Sequence, residues 1–179
     1  SGEVDIEDLI PEEDCVLTLT NFGYVKRQKT DTYKLQRRGG RGISGMSCRE
    51  EDVAAEMFVV NSHDYVMFFT NFGKVYRLKC YEIPEGSRVS KGTNVANLLP
   101  IMPDEKVTSM IKVPDFDGEK YLVMVTKSGV IKRTLLSAYD SARKGGLIAI
   151  DLDDGDELAW VGVTDGATEL LVATKKGMA

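Results

Sequence analysis

Several residue types that build functional sites are scarce in this chain of 179 residues. It has one histidine, His63, which excludes a metal site built from several histidines. Its three cysteines, Cys15, Cys48 and Cys80, are too few and too scattered for a zinc site or a disulfide framework, so we interpret them as buried, reduced thiols. No apolar run approaches the ~20 residues of a membrane span, and the acidic N-terminus lacks the basic-then-apolar order of a secretory signal. These absences favour a cytoplasmic protein that does not contact a membrane.

Motifs of catalysis are also missing from the sequence. The residues SKGT at 90–93 have the wrong order for a phosphate-binding P-loop, and no G-x-S-x-G occurs. The acidic run DLDDGDE at 151–157 fails the pattern of a calcium loop, because Gly155 occupies its fifth position. We therefore expect no catalytic residue, no metal ligand and no cofactor site in this chain.

The chain does contain an internal repeat. Its copies are VLTLTNFGYVKR (16–27), VMFFTNFGKVYRL (66–78), LVMVTKSGVIKRT (122–134) and, cut short, LLVATKKGMA (170–179). Each copy has an apolar strand, then Thr-x-x-Gly, and the three longer copies continue into a second strand that ends in basic residues. This pattern predicts a β-hairpin whose turn ends on a glycine of positive φ. These anchoring glycines are Gly23, Gly73, Gly129 and Gly177.

The segments between the hairpins predict further strands. Short apolar segments at 50–60, 104–113 and 155–163 predict one strand each, and the stretches near 43–48, 94–99 and 147–152 predict another. About four strands in each repeat of roughly 50 residues are typical of a propeller-like array of blades. We therefore predict an all-β fold, with Trp160 in the core between repeats, and Phe22 and Phe72 packed against neighbouring repeats. The predicted divisions are an acidic lead-in at 1–13, blades at 14–63, 64–118 and 119–167, and the start of another at 168–179.

Basic residues follow the hairpins, although the formal net charge of the chain is −5. Of 23 lysines and arginines, 19 lie in the windows 26–41, 74–91, 127–144 and 175–176, and the acids collect between these windows. Equivalent positions of a repeat array lie along one surface, so we expect a continuous positive rim with the acids facing away. Such a rim suits the phosphates of double-stranded DNA, which carry no sequence code. Bending 20–30 bp around it costs roughly 1–6 kcal/mol, which several phosphate contacts would offset.

One stretch of the first basic window carries a family signature. Residues 36–42 read QRRGGRG, which resembles at every position the seven-residue box of the DNA gyrase A C-terminal domain. The whole chain is similar to that domain, from the acidic lead-in EDLIPEED to the last TKKG. The related C-terminal domain of topoisomerase IV shares the repeats but has a degenerate or missing box.

The resemblance implies a β-pinwheel, a propeller-like ring whose blades exchange strands. This ring wraps DNA around its basic outer edge with positive handedness, and the wrap supports ATP-dependent negative supercoiling by gyrase, a bacterial type II topoisomerase. The implied partners are double-stranded DNA, the rest of the gyrase A protein, and the gyrase B protein in an A2B2 holoenzyme in the cytoplasm, associated with the nucleoid. ATP and Mg²⁺ act elsewhere in that holoenzyme, so the domain itself is non-catalytic. The family ring usually has about six blades, so we expect this chain to be part of a ring.

The resemblance also implies which residues contact DNA. The box contributes Gln36, Arg37, Arg38, Gly39, Gly40, Arg41 and Gly42. Its arginines would fork onto phosphates and its glycines would let the backbone approach closely. Secondary contacts are expected from bases across the windows, which are Lys26, Arg27, Lys34, Lys74, Arg77, Lys79, Arg88, Lys91, Lys132, Arg133, Arg143 and Lys144.

Two alternatives remain open from the sequence. A topoisomerase IV domain would bind and bend DNA without the wrapping of gyrase, and the intact box argues against it. A propeller-like protein-interaction module would use the acidic surfaces instead, and its partner binding would not show the salt dependence of a phosphate contact.

Overall fold

A computed structural model describes residues 5–31 and 52–165 of the chain. The strands in these ranges are β1 (Asp14–Thr20), β2 (Tyr24–Lys29), β3 (Ala54–Asn61), β4 (Tyr65–Thr70), β5 (Lys74–Lys79), β6 (Thr93–Asn94), β7 (Val107–Val113), β8 (Tyr121–Thr126), β9 (Ile131–Leu135), β10 (Leu147–Ile148) and β11 (Leu158–Thr164). Short 3-10 helices lie at Ile6–Leu9, Cys80–Glu82, Val95–Asn97 and Leu136–Tyr139. In the described ranges, no helix is long and apolar enough to cross a membrane. The box at 36–42, Lys34, Cys48, the predicted strand at 43–48 and the fourth repeat copy lie outside them.

The strands form three antiparallel sheets, each built around one of the predicted hairpins. The orders are β3-β1-β2-β6 in the first sheet, β10-β5-β4-β7 in the second and β11-β8-β9 in the third. In every sheet, the first hairpin strand also pairs with a longer strand that comes later in the same repeat: β3 with β1, β7 with β4 and β11 with β8. The predicted all-β repeat architecture and the strands predicted within 50–60, 104–113 and 155–163 are therefore confirmed.

The hairpin turns follow from the Thr-x-x-Gly motif. The φ angles of Gly23, Gly73 and Gly129 are 90°, 79° and 98°, a region that residues with a Cβ rarely occupy. Each glycine amide donates to the carbonyl of the motif's threonine, at 2.9 to 3.0 Å. The hydroxyls of Thr20 and Thr126 also accept a hydrogen bond from the amide that follows the glycine. Threonine and glycine together therefore fix the turn, as the motif predicts.

In the second and third repeats, the strand that directly follows the hairpin is short and lies in the sheet of the preceding repeat. The two-residue strand β6 pairs with Tyr24 and Val25 of the first sheet, and β10 pairs with Lys74 and Val75 of the second. The sequence predicts longer strands near 94–99 and 147–152, and that length is wrong. The reason in β6 is that the Asn94 side chain accepts a hydrogen bond from the Ala96 amide, which starts the 3-10 helix Val95–Asn97.

The three sheets pack face to face around two hydrophobic cores. Alternate side chains of β4 enter different cores: Val66 and Phe68 pack in the core between the first and second sheets, and Met67 and Phe69 in the core between the second and third. A strand that is buried on both faces has a continuous apolar sequence, as β4 does in residues 66–69, VMFF. Sheets stacked in this way behave as the blades of one body.

Two of the three aromatic predictions need correction. The rings of Phe22 and Phe72 lie at hairpin tips, where they keep 58% and 38% of their surface exposed, so neither is buried against a neighbouring repeat. Trp160 is half-buried and belongs to neither of the two described cores, and the repeat that follows it lies outside the described residues, so its place in a core between repeats stays a prediction. Its ring lies against Gly162 on the same strand, where an added Cβ would collide with it. Trp160 is the only tryptophan of the sequence and has no counterpart in the other repeats, so the repeat pattern does not predict its position in the fold.

One strand of each sheet faces the neighbouring sheet at the inner side of the array. Strand β7 packs between β3 and β11. The Met110 amide of β7 donates to the Glu56 carboxylate of β3 at 2.7 Å, and the Val161 amide of β11 donates to the Ser109 hydroxyl of β7 at 3.1 Å. Because β3, β7 and β11 are the inner strands, the opposite edges of the sheets face outwards.

Candidate nucleic-acid interface

The outer parts of the three sheets, away from β3, β7 and β11, form a basic surface, which we call the outer rim. It consists of strands β2, β5 and β9 and of two exchange loops, 83–92 and 140–146, which lead into β6 and β10. The strands carry Lys26, Arg27, Lys74, Arg77, Lys79, Lys132 and Arg133, and the loops carry Arg88, Lys91, Arg143 and Lys144. Within residues 5–31 and 52–165, the structure thus brings every predicted secondary contact to one edge.

Of the predicted DNA contacts that the structure describes, those most open to solvent lie on the exchange loops and on β9. They are Arg88, Lys91, Lys132, Arg133, Arg143 and Lys144. Two of them rest on aromatic faces, with the Lys91 ammonium 4.7 Å from the centre of the Tyr24 ring and the Arg133 guanidinium 4.4 Å from that of Tyr121. Such stacking orients a cation and leaves its outer side free for an anion.

Other rim bases are half-buried and bond neighbouring segments of the protein. The Lys26 ammonium donates to the carbonyls of Ser87 and Ser90 in the first exchange loop, at 3.1 and 2.9 Å, and burial lowers its pKa. Arg27 Nε donates to the Ile83 carbonyl at 2.8 Å, and its guanidinium lies 3.8 Å from the Glu85 carboxylate. Both side chains therefore hold the first exchange loop against β2.

Two basic residues of the second hairpin also bond neighbouring segments of the protein. Arg77 Nη1 donates to the Asp140 carbonyl at 2.9 Å, and its guanidinium lies over the Tyr65 ring at 4.3 Å. The Lys79 ammonium donates to the His63 carbonyl at 3.0 Å and pairs with Glu7 of the lead-in at 3.2 Å. The charge pattern could not separate these bases from the exposed ones, because their partners lie in loops that are remote in sequence.

Acids at an equivalent position hold the hairpin turns, a role that sequence reasoning missed. Asp52, Glu105 and Asp156 each lie two residues before an inner strand. Asp52 accepts a hydrogen bond from the Phe22 amide at 2.9 Å, and Asp156 accepts from the amide and hydroxyl of Ser128 at 3.0 and 2.6 Å. These bonds, led by that of the Ser128 side chain, lower the pKa of Asp156 to about 2. The fixed spacing from the strand is the signal that could have identified this role.

Glu105 fills that position in the second repeat and is almost fully buried, with 3% of its surface exposed. Its carboxylate accepts hydrogen bonds from the hydroxyls of Thr70 and Tyr76 at 2.6 and 2.9 Å and from the Met102 amide at 2.9 Å. Burial and the adjacent carboxylate raise the pKa of the Tyr76 phenol. A buried carboxylate with three donors is satisfied, so it anchors the turn.

The remaining reactive groups are held in unreactive states. Cys15 and Cys80 are buried free thiols, and burial raises the pKa of Cys80 to about 12. A thiol at such a pKa stays protonated at neutral pH, so it is a poor nucleophile. Among residues 5–31 and 52–165, no three histidine, cysteine, aspartate or glutamate residues are grouped so that they could hold a metal ion.

Curated relatives resemble the chain along nearly its whole length. The DNA gyrase A protein of Clostridium acetobutylicum is 50% identical over 178 residues, which are 99% of this chain and 21% of that protein. The DNA gyrase A protein of Mycobacterium tuberculosis is 42% identical over 176 residues, 98% of this chain and 21% of that protein. The chain therefore spans about a fifth of the length of these relatives.

Solved structures share the architecture. The C-terminal domain of DNA topoisomerase IV superposes with a TM-score of 0.74 at 30% identity, over 88% of this chain and 47% of that one. The DNA gyrase A C-terminal domain superposes with a TM-score of 0.63 at 28% identity, over 85% of this chain and 48% of that one. The sequence model of the DNA gyrase C-terminal domain, a beta-propeller, matches residues 16–61, 64–114 and 120–165, which is most of the chain. The chain therefore belongs to the DNA gyrase C-terminal domain family.

Proposed function

We propose that this chain binds double-stranded DNA along its outer rim, bends it and wraps it with positive handedness. The observation that supports this most is the alignment of exposed bases from successive repeats on one edge of the stacked sheets. Phosphates repeat along a duplex, and a row of cations that repeats along a curved edge can neutralise several of them in turn. The phosphate contacts that a curved row of cations makes on one face of the duplex can offset the free-energy cost of bending it.

The box at 36–42 would provide the strongest single contact of this wrap. Its three arginines lie within five residues and can each fork onto a phosphate. The exposed bases of the later repeats, beginning with Arg88 and Lys91, would then carry the duplex along the rim. Phosphate contacts position DNA without reading its sequence, so binding should be insensitive to sequence and sensitive to salt.

In the whole enzyme, this domain would serve strand passage without catalysing it. The relatives of this chain are DNA gyrase A proteins, and the chain corresponds to about a fifth of their length. We infer that the remaining part of the A protein and the gyrase B protein supply the DNA gate, ATP and Mg²⁺, in a bacterial cytoplasm at the nucleoid. A positive wrap that presents a segment of the same DNA to the gate would convert ATP-driven passage into negative supercoils.

A topoisomerase IV domain is the second candidate, because the topoisomerase IV structure superposes with a higher TM-score than the gyrase structure does. Such a domain would bind and bend DNA without the positive wrap. The complete box QRRGGRG favours the gyrase function. A ligation assay that traps the sign of DNA writhe separates the two, since only the gyrase function predicts positive crossings.

Salt titration of duplex binding tests the proposed function, with a matched pair of variants. Arg88→Ala/Lys91→Ala removes two exposed rim bases, and Lys106→Ala/Lys120→Ala removes two exposed bases that lie off the rim. Each lost phosphate contact lowers the slope of log K against log salt by about 0.9, so the rim pair should lower it by about 1.8 and the control pair by almost nothing. Equal effects of the two pairs, or binding that does not depend on salt, would contradict the proposal and favour a protein-interaction module.

A further inference from the structure

Two arginines at the same repeat position each bind the end of a 3-10 helix in the next repeat. Arg27 and Arg77 both lie four residues after a turn glycine. Arg27 Nε donates to the carbonyl of Ile83, and Arg77 Nη1 to that of Asp140, at 2.8 and 2.9 Å. Ile83 is the residue that ends the helix Cys80–Glu82, and Asp140 ends the helix Leu136–Tyr139. The carbonyls at a helix end lack a partner within the helix, and the guanidinium supplies one.

The backbone of each arginine binds the same loop as its side chain. The Arg27 amide donates to the Pro84 carbonyl at 3.3 Å, and the Arg27 carbonyl accepts from the Gly86 amide at 2.9 Å. The Arg77 amide donates to the Arg143 carbonyl at 3.1 Å. Each arginine therefore holds the start of an exchange loop to the outer strand of the preceding repeat.

Exposed bases lie a few residues further along these loops. In the first loop, Arg88 and Lys91 follow the segment that Arg27 binds, and in the second, Lys144 follows the Arg143 carbonyl that Arg77 binds. The arginine of the preceding repeat therefore helps to hold these bases on the rim, together with Lys26 in the first loop. Two exchange loops are thus attached to the outer strands by an arginine at the same repeat position.

The third repeat provides a natural comparison. Arg133 occupies the position of Arg27 and Arg77, and its guanidinium lies over the Tyr121 ring, as that of Arg77 lies over Tyr65. In the part of the chain that the structure describes, no exchange loop covers β9, and Arg133 is exposed. In the described ranges, the arginine at this repeat position thus binds a loop in two repeats and is exposed in the third.

We propose that Arg27 and Arg77 are positioning residues for DNA bending, which place the exchange-loop bases on the rim without contacting DNA themselves. This inference rests on the proposed function. Both residues belong to the set that the basic windows predict as DNA contacts. Their half-buried guanidinium groups already donate to protein carbonyls, and moving them to phosphates would break these hydrogen bonds.

A double-variant cycle separates positioning from direct contact. The cycle combines Arg27→Met with the loop variant Arg88→Ala/Lys91→Ala, and it reads both the salt slope of binding and the bending of an end-labelled duplex by energy transfer. If Arg27 acts through the loop bases, Arg27→Met alone should lower the slope by more than the ~0.9 of a single contact and reduce bending. In a protein that already carries Arg88→Ala/Lys91→Ala, Arg27→Met should cause little further loss of slope or bending.

Arg133→Met is the matched control, because it makes the same change at the equivalent exposed position. It should lower the slope by about 0.9 and add fully to the loop variant. The inference would be overturned if the slope loss of Arg27→Met equals that of Arg133→Met and adds fully to the loss caused by the loop variant. So would a loss of thermal stability with unchanged slope and bending, which indicates a purely structural role.

The outcomes also distinguish failure of the inference from failure of the proposed function. If the parent protein shows no salt-dependent binding, the proposed function fails and the inference fails with it. If the parent and the loop variant behave as expected but Arg27→Met adds fully, only the inference fails. Should Arg27→Met not fold, the same cycle with Arg77→Met and Lys144→Ala gives the same two answers at the second loop.

Discussion

The carboxylate of Glu56, on the inner strand of the first sheet, accepts a hydrogen bond from the backbone amide of Met110, on the inner strand of the second. Ser109 repeats this relationship one sheet further along, where its hydroxyl accepts from the Val161 amide. Glu56 and Ser109 occupy equivalent places, each beside a register shift opposite its hairpin. Neighbouring sheets are thus joined by the same hydrogen bond, with a titratable acceptor at one junction and a neutral one at the other.

The first junction should therefore respond to pH. Burial raises the pKa of Glu56 from 4.5 to about 7, although the Met110 amide opposes this. Because the folded-state pKa is the higher one, the stability that Glu56 contributes is complete below about pH 4.5 and is lost as the pH rises to about 7. Glu56→Gln keeps the acceptor and removes the charge, so we expect it to stabilise the protein by about 2 kcal/mol above neutral pH.

Urea unfolding at about pH 5 and about pH 8 checks this prediction. The parent should be less stable at the higher pH, and Glu56→Gln should remove much of that difference. Ser109→Ala is the control, since it breaks the equivalent bond without changing a charge and should leave the pH difference intact. An unchanged pH difference in Glu56→Gln would show that other groups dominate it.

The turn glycines should differ in how strongly they resist substitution. Gly73 and Gly129 both have positive φ, which costs a residue with a Cβ roughly 1–2 kcal/mol. A Cβ on Gly129 meets open space, whereas one on Gly73 comes within 2.6 Å of the Ile150 carbonyl oxygen. We expect Gly129→Ala to cost about 1 kcal/mol and Gly73→Ala about 3 kcal/mol or more. Chemical denaturation of the two variants measures both, and equal losses would contradict the close approach of the exchanged segment.

The buried hydrogen bonds of Glu105 should be strongly coupled. Glu105→Ala leaves the hydroxyls of Thr70 and Tyr76 without their acceptor, and each buried unpaired group costs about 1–3 kcal/mol. Tyr76→Phe removes one donor and leaves the other bonds, so it should cost about 1 kcal/mol. In the combined variant, the unfolding free energy should fall by less than the sum of the two single losses. Simple additivity would mean that the two side chains do not share a bond.

Acids at the hairpin ends should stay away from bound DNA. Asp153 and Asp154 lie in the exposed turn before β11, at the hairpin end of the third sheet. Replacing both with lysine should change the salt slope of binding by almost nothing, although it shifts the net charge toward positive. An increase of about 0.9 per lysine, as for a new phosphate contact, would show that the DNA path crosses this end.

The box should govern bending more than affinity. Arg37→Ala/Arg38→Ala/Arg41→Ala removes one concentrated cluster and leaves the dispersed bases of the rim. We therefore expect it to abolish bending while binding remains, as measured by energy transfer and by anisotropy on the same duplex. A triple variant that bends DNA as well as the parent would mean that the box does not hold the wrap.

The sequence predicts those features of the fold that repeat within single hairpins. Thr-x-x-Gly predicts the turns and the positive φ of their glycines, and short apolar segments predict the strands. Features that depend on contacts between repeats are not predictable in this way. The exchanged strand of two residues is too short to carry a sequence pattern. It ends at Asn94 because the Asn94 side chain accepts a hydrogen bond from the Ala96 amide, and the sequence does not show that this bond forms.

The same distinction between features within a repeat and contacts between repeats applies to the candidate interface. The charge pattern places the bases on equivalent positions of each repeat, and the structure has the described ones on the outer strands and the exchange loops. It could not show that Arg27 is bonded to a helix end while Arg88 is free to meet solvent, since that depends on a loop more than fifty residues away. Nor could it show that Asp52 holds a turn, because an acid between strands is equally typical of a solvated loop.

Energy transfer between dyes on the two ends of a ~40 bp duplex, titrated with this protein at low and moderate salt, tests the central proposal most directly. A basic rim that bends DNA predicts that the ends draw together on binding and separate again as salt weakens the phosphate contacts. Binding that leaves the ends as far apart as in free DNA would contradict bending by this rim.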